Sequence, residues 1–230
     1  MITFSQSVHG LLGTDEAVTT LAEKQNGRVL VISDSHGQKD LFRHIVGQIG
    51  PSCDALVFCG DGAGDFAACM NYAAENVPFS RCVPGVAAFV QGNGDPERLH
   101  VSFNTSKKDV QPCFELFFPR RQILSAAGSM LYIVHGDEQG AYYGTAALEE
   151  EGKTAGADVV LYGHTHIADE ALGELYVVNP GSPAHPRGGT PPSFAVLEIS
   201  GGQCSSVFYR IENGLKGMEF IPFFPKKTYL

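Results

Sequence analysis

Short apolar, β-branched runs recur along the chain at residues 29–33, 55–59, 86–91, 131–134, 159–162 and 175–178. Each is of strand length and each is followed by Gly, Asp, Asn or His, the punctuation of a strand end. Between the first two runs Leu41, Ile45 and Ile49 fall on one face of a helix, and Phe66, Met70 and Ala73 do so between the next two. Strand, helix and strand in alternation predict parallel pairing, with short runs buried on both sides. Further strand-like segments at 114–118, 194–199 and 207–211 extend one sheet or build a second, so the expected architecture is two packed sheets flanked by helices. Two segments stand apart. In the leader, Val18, Leu21 and Ala22 follow Thr14-Asp15 at helical spacing and predict a short amphipathic helix packed on the body. In the tail, Phe220, Ile221, Phe223 and Phe224 are too apolar to be left in water and are expected to dock on this domain or on a partner.

A length of 230 residues suits one domain, residues 1–230, with an N-terminal extension over 1–27 and a C-terminal tail over 213–230. The formal charge of -9 argues against a nucleic-acid polymer as resident partner. It leaves room for a small phosphorylated substrate, because divalent cations reverse the local field whatever the global balance. The six cysteines contain no C-x-x-C pair, so they read as reduced, cytoplasmic and mostly buried. Residues 1–13 lack a basic leader with an apolar run behind it, and no window approaches the ~18 apolar residues of a membrane span, so neither secretion nor a membrane is expected. A homo-oligomer is compatible with all of this.

The polar residues at the run ends change the picture. They are Asp34-Ser35-His36, Gly60-Asp61, Gly92-Asn93-Gly94-Asp95, His135-Gly136 and Gly163-His164-Thr165-His166. Taken singly, most have plainer readings: an Asp-x-His is commonly a solvated turn, a Gly-Asp a tight turn, a lone His a satisfied histidine. Two imidazoles at i and i+2 after a strand are seldom needed for packing. Parallel strands bring their carboxyl ends to one edge, where ligands bind in open α/β sheets, so the motifs converge on one cleft and read together as a metal site. Asp34 and His36 are expected to point the same way from an extended stretch. Carboxylate with imidazole suits manganese, iron or zinc, and the neutral carbonyl of Asn93 suits the second ion of a pair. No Gly-x-Ser-x-Gly is present, and Gly60-Asp61-Gly62-Ala63-Gly64 lacks the Lys of a phosphate-binding loop.

On these motifs the chain resembles the calcineurin-like metallophosphoesterases, in the small bacterial and archaeal phosphodiesterase group that shares its fold with the retromer subunit. The resemblance runs from about Arg28 to Ile199 and includes Asn179-Pro180-Gly181-Ser182. It implies a four-layer α/β/β/α sandwich of two mixed β-sheets flanked by helices. It implies two divalent metal ions, manganese first with iron, zinc, nickel or cobalt as alternatives. Asp34, His36 and His166 would hold one ion and Asn93, His135 and His164 the other, with Asp61 bridging them and Asn179 to Ser182 closing the cleft. Asp61, Asn93 and His135 would be the catalytic residues. A hydroxide shared by two such ions is a nucleophile at neutral pH for in-line attack on a phosphoester.

One departure narrows the expectation. Many hydrolytic members carry His after the Asn of the third motif, where it protonates the departing oxygen; this chain has Gly94. Loss of a general acid costs ~10²- to 10⁴-fold with poor leaving groups, which favours diesters over simple monoesters. His100, His185 or Arg187 are candidates to replace it, and Asn179, Ser182, His185 and Arg187 are candidate substrate contacts, against the plainer reading of a proline-stiffened surface loop. Asp95 is expected to orient His135 or to cap the following turn. Lys107, Lys108, Arg120 and Arg121 in the insertion after Asp95 face a substrate anion or solvent. Two other functions fit the motifs less well: a binding scaffold that keeps the fold without useful catalysis, and a nucleotide or dinucleoside polyphosphate hydrolase.

Overall fold

The structure is a computed structural model that describes residues 6–7, 9–102, 113–214 and 217–225. Its elements run α1 (Asp15–Glu23), β1 (Asn26–Ile32), α2 (Lys39–Ile49), β2 (Ala55–Phe58), α3 (Ala63–Glu75), α4 (Val77–Ser80), β3 (Val86–Phe89), β4 (Arg98–Ser102), β5 (Cys113–Phe117), β6 (Arg121–Ala126) and β7 (Ser129–Val134). They continue with α5 (Ala146–Thr154), β8 (Val159–Leu161), β9 (Ala168–Leu172), β10 (Tyr176–Pro180), β11 (Ser193–Ser200), β12 (Gln203–Gly214) and β13 (Gly217–Phe223).

One sheet has the order β13-β12-β11-β1-β2-β3 and the other β6-β7-β8-β10-β9, while β4 and β5 form a separate hairpin. The strands β1, β2 and β3 are parallel, as are β7, β8 and β10, and the remaining pairings are antiparallel. Period-two alternation sorts each strand between layers. Val29, Val31, Val57 and Ala88 face Leu131, Ile133, Leu161 and Val178 across the gap between the sheets. On the outer face of the first sheet, Leu30, Ile32, Leu56, Phe58 and Phe89 meet Phe42 and Ile45 of α2 and Phe66 and Met70 of α3. Tyr132, Val160 and Val177 bury the outer face of the second sheet against Leu148 of α5. The result is helices, sheet, sheet and helix, the layered sandwich expected. Among the described residues no helix is long and apolar enough to cross a membrane.

The segments set apart in the sequence belong to these layers. Thr14 caps α1 by accepting from the Ala17 amide at 3.1 Å, and Leu21 is buried in the inter-sheet core. Leu12 bridges to Ala87 at the β3 edge. The tail is a strand rather than a loose apolar stretch: β13 pairs with β12, Phe220 packs edge-on against Phe194 at 5.0 Å, and Phe223 against Phe208 at 6.1 Å. Of the four apolar tail residues only Phe224 is left out, at 96% exposed. Strands β4, β6 and β9 carry no strong apolar signal. In β6, for example, Arg121, Ile123 and Ser125 are exposed while Gln122, Leu124 and Ala126 are buried.

Because both parallel sets run the same way, the carboxyl ends of β1, β2, β3, β7, β8 and β10 meet at one edge. The amide of Asp34 bonds to the Gly60 carbonyl at 2.8 Å and that of Gly163 to the His135 carbonyl at 2.9 Å.

Candidate metal centre

Asp34 lies just beyond β1 and is fully buried. Its Oδ2 accepts from the Ser33 hydroxyl at 2.6 Å and from the His164 amide at 3.0 Å. Its Oδ1 is buried with no hydrogen-bond partner. Instead that oxygen looks at two imidazole nitrogens, His166 Nε2 at 3.3 Å and His36 Nε2 at 3.9 Å. Asp61, beyond β2, turns Oδ1 to the Gly94 amide at 2.7 Å and Oδ2 toward His135 Nε2 at 3.5 Å and His36 Nε2 at 3.9 Å. Asn93 Oδ1 lies 3.2 Å from His135 Nε2. The His164 ring stands edge-on to that of His135, centroids 5.1 Å apart.

The second nitrogens of two rings are already engaged. His135 Nδ1 donates to the Cys59 carbonyl at 2.8 Å and His166 Nδ1 to the His185 carbonyl at 2.7 Å. Each bond turns Nε2 into the cleft as the nitrogen that a metal would take once it has lost its proton, the arrangement of metal-ligating histidines. Two clusters follow: Asp34, His36 and His166, and Asp34, Asp61 and His135, each with ligand atoms within 4.8 Å of one another. The structure thus brings six of the seven expected ligands into direct reach through these atoms and Asn93. His164 joins through its ring and its amide. An orphaned carboxylate oxygen facing two imidazole nitrogens fits a cation, and carboxylate, imidazole and amide oxygen together suit manganese, iron or zinc.

The ligand loops are strained in a consistent way. Asp34, His36, Asp61, His164 and His166 have φ of 54°, 44°, 56°, 65° and 60°. Among the described residues the only other non-glycine with positive φ is Ala127, in the β6–β7 turn. Asp34 and His36 therefore do not share a face of an extended stretch, as their spacing suggested; a left-handed residue on either side of Ser35 folds both side chains into the cleft. Such conformations cost roughly 1 kcal/mol or more each and persist only where surrounding contacts enforce them.

Those contacts come from Asp65, which stands outside the motifs, and from Asp95, which closes the third of them. Asp65 accepts from the Ser35 hydroxyl at 2.6 Å and the Gly37 amide at 2.9 Å, holding the His36 loop. Asp95 accepts from the amides of Asp61, Gly62, Ala63 and Gly92 at 2.7, 2.9, 2.8 and 3.0 Å. It thereby caps α3, whose own N-cap, Gly62, has no side chain to do so; the four bonds run to amides that precede it in the chain, not to His135 or to the following turn as expected. A Cβ on Gly92 would fall 2.2 Å from Asp61 Oδ1, so only glycine lets the two loops close on each other.

Two of the candidate substrate contacts sit behind the site. Asn179 and Ser182 are fully buried. Asn179 donates to the Gly163 carbonyl at 2.8 Å and the Thr165 hydroxyl at 3.0 Å and accepts from the Gly181 amide at 2.9 Å. Ser182 donates to the Asp34 carbonyl at 2.7 Å. They brace the ligand loops and have no face toward a substrate. His185 and Arg187 are exposed at the rim. The His185 ring lies 5.4 Å from that of His36, and Arg187 donates to the hydroxyl of Tyr142, which in turn donates to the His164 carbonyl at 3.1 Å. His100, on β4, faces Glu115 at 3.7 Å. Arg120 and Arg121 are taken up by Asp137, Glu138 and Glu151. Lys107 and Lys108 lie outside the described residues.

Protonation follows the same geometry. Burial pushes the Asp61 carboxyl up, but the hydrogen bond and charge of His135, the Gly94 amide and His36 outweigh it and bring the pKa to about 2. Burial opposes the charged form of His135, yet Asp61 and Asp34 raise it to about 9. His36 and His164 are lowered, chiefly by burial, and His166 is raised by Asp34 against burial.

The calcineurin-like phosphoesterase superfamily domain matches residues 28–202, a span that contains every expected ligand. The chain belongs to this superfamily. The chain is 28% identical over 182 residues to the probable metallophosphoesterase YsnB of Bacillus subtilis, covering 79% of this chain and 89% of YsnB. It is 29% identical over 196 residues to the phosphodiesterase YfcE of Escherichia coli, 85% of each chain. Vacuolar Protein Sorting 29 from Cryptosporidium parvum superposes with a TM-score of 0.61 at 17% identity, over 88% of this chain and 100% of that one, which shows a common fold. The two mixed sheets between helices are thus the metallophosphoesterase fold, and the buried carboxylate and imidazole clusters are candidate ligands for the divalent metals that the family binds.

Proposed function

We propose that this protein is a dinuclear metal-dependent phosphodiesterase acting on a small phosphoester, with manganese the first candidate for both ions. The observation that carries the reading is the orphaned Asp34 Oδ1 facing His36 Nε2 and His166 Nε2 beside Asp61 and His135. Asp34, His36 and His166 would hold one ion, Asn93, His135 and His164 the other, and Asp61 would lie between them. Ions bound there supply a water acidified to a pKa of ~7 as nucleophile and a positive clamp for the phosphoryl oxygens.

The chain's own part is positioning. The Gly94 amide and the His135 ring orient the two oxygens of Asp61, and the Cys59 and His185 carbonyls hold the His135 and His166 rings with Nε2 forward. Beside Asp61 and His36 opens a cleft of about 300 Å³ walled by Gly37, Gly62, Gly64 and Gly94. Gly94 stands there without a side chain to protonate a departing alkoxide, which supports diesters with acidic leaving groups over simple monoesters. The name of YfcE agrees with that preference. Among the described tail residues Phe220 and Phe223 pack on the chain itself, which supports the enzyme over a scaffold that would use them to hold a partner. Cys53, Cys59, Cys69, Cys82 and Cys204 are free, in keeping with a reducing compartment such as the cytoplasm.

The test is to measure bound metal and the hydrolysis of bis-p-nitrophenyl phosphate and p-nitrophenyl phosphate after manganese is added. Metal-dependent diesterase activity that Asp61→Ala and His135→Ala abolish is expected. Full metal occupancy with no turnover of either substrate would overturn the enzyme in favour of the scaffold.

A further inference from the structure

The connection between β7 and α5 leaves two aromatic rings in water. Tyr142 is 48% exposed and Tyr143 97% exposed, side by side in one short turn. Beside them opens a cavity of about 250 Å³, lined further by the buried Tyr162 and Thr165 and by Ile167 and Asp169. It shares no wall residue with the cleft beside His36 and Asp61. One side chain connects it to the candidate metal centre. Tyr142 packs its ring edge-on against that of His164 at 4.9 Å and donates its hydroxyl to the His164 carbonyl at 3.1 Å. Thr165, which stands between the candidate ligands His164 and His166, lines the same cavity.

The two openings thus adjoin opposite ligand groups, one at His36 and Asp61 and the other at His164, as the two arms of a phosphodiester held between them require. Size and chemistry choose the occupant of the tyrosine cavity. Sites for whole drug-sized ligands measure ~300–1,000 Å³, so its volume suits one ring system rather than a complete substrate. Three tyrosine rings favour a flat π-system over a flexible aliphatic chain, because stacked and edge-on ring pairs gain beyond the area that they bury. Asp169, the only charged residue among the described walls, sets a carboxylate where a ring N–H can donate. A cationic arm is opposed, since the Arg187 guanidinium donates to the hydroxyl of Tyr142 on the same wall.

We infer that the cavity under Tyr142 and Tyr143 is a subsite for a nucleobase carried on one arm of the phosphodiester. The preferred substrates are then diesters with a nucleoside on one ester oxygen. The inference rests on the diesterase reading above and adds the substrate class to it.

The test compares three p-nitrophenyl phosphodiesters that share one leaving group and differ in the retained arm: 5′-thymidyl, methyl and choline. In parallel, calorimetry measures the affinities of thymidine 5′-monophosphate and 2-deoxyribose 5-phosphate for the manganese-loaded protein. In the wild type the thymidyl ester is expected to show a KM about tenfold below that of the methyl ester, with no such gain for choline, and the nucleotide to bind about tenfold tighter than the sugar phosphate. Tyr143→Ala removes an exposed ring and Ala171→Leu fills the cavity that Ala171 lines; each should bring both ratios toward one, and Tyr143→Phe, which keeps the ring, should retain them. Equal KM values for the thymidyl and methyl esters in the wild type, a lowest KM for the choline ester, or a nucleoside preference that survives both Tyr143→Ala and Ala171→Leu overturns the inference and leaves the diesterase reading untouched. Equal affinities for the nucleotide and the sugar phosphate overturn it whether or not any ester is hydrolysed. If no ester is hydrolysed but the nucleotide still binds more tightly to the wild type and not to Ala171→Leu, the base subsite stands and it is the diesterase reading that fails.

Discussion

The Nε2 atoms of His36 and His166, separated by 130 positions in sequence, face each other across 3.1 Å. Two imidazole lone pairs at that distance repel unless a proton or a cation lies between them, and the bare Asp34 Oδ1 beside them favours the cation.

Metal removal should therefore be felt by the whole fold. A ligand at a thousand times its Kd stabilises by ~4 kcal/mol, which for a domain of this size corresponds to roughly 10 °C in Tm. Chelation is expected to lower the melting temperature by about that amount, and manganese to restore it. His166→Ala should halve the bound metal measured by elemental analysis; an unchanged metal content would remove His166 from the ligand set.

The affinity for metal should rise with pH. The pKa of His135 is raised from 6.5 to about 9 in the metal-free protein, so near neutrality a cation must displace a proton from Nε2. Apparent affinity at that position is expected to climb roughly tenfold per pH unit and to level off near pH 9. The same proton stabilises the metal-free fold: the contribution is complete below 6.5 and is lost as pH rises through about 9. Asp61, brought from 3.8 to about 2, contributes above 3.8 and is lost as pH falls through about 2. Calorimetric titrations with manganese between pH 6.5 and 9.5 check the first point, and affinity that stays flat across that window would contradict it.

Gly94→His should shift the enzyme toward monoesters. A Cβ there would stand 3.2 Å from Asp61 Oδ1, tight enough to require a small movement of the carboxylate but clear of backbone. The ratio of p-nitrophenyl phosphate to bis-p-nitrophenyl phosphate hydrolysis is expected to rise by about 10²-fold if leaving-group protonation is what is missing. An unchanged ratio means that another acid already serves.

Asp95→Ala should cost more than a surface carboxylate normally does. Four backbone amides lose their acceptor, three of them at the turn that carries Asp61. A loss of ~3 kcal/mol or more in stability is expected, with weakened metal binding, read from denaturant melts and metal analysis. Asp95→Asn, which keeps one acceptor oxygen, should fall between.

How much of this was legible in the chain depends on whether the signal was local. The carboxylate and imidazole cluster was, because each member stands at the end of an apolar run and parallel topology then gathers strand ends that lie far apart in sequence. Asp65 was not, and Asp95, though part of the third motif, gave no sign of its partners, because each acts on a loop about thirty positions away. Asn179 and Ser182 were visible as a motif, yet their role was not, since bracing a loop and touching a substrate call for the same polar side chains. Strands such as β6 were hidden because exposed Arg121 and Ser125 interrupt the apolar pattern. The left-handed backbone at Asp34 and His36 was hidden as well, because a non-glycine residue gives no sign of a positive φ.

That backbone sets the chain's local preferences against its chemistry. At Asp34, His36, Asp61, His164 and His166 a glycine would relax the main chain while deleting a candidate ligand. Drift in these loops therefore has a downhill direction, toward a sturdier and inert protein. A copy released from the need to hold metal would be expected to decay into a stable scaffold rather than to unfold.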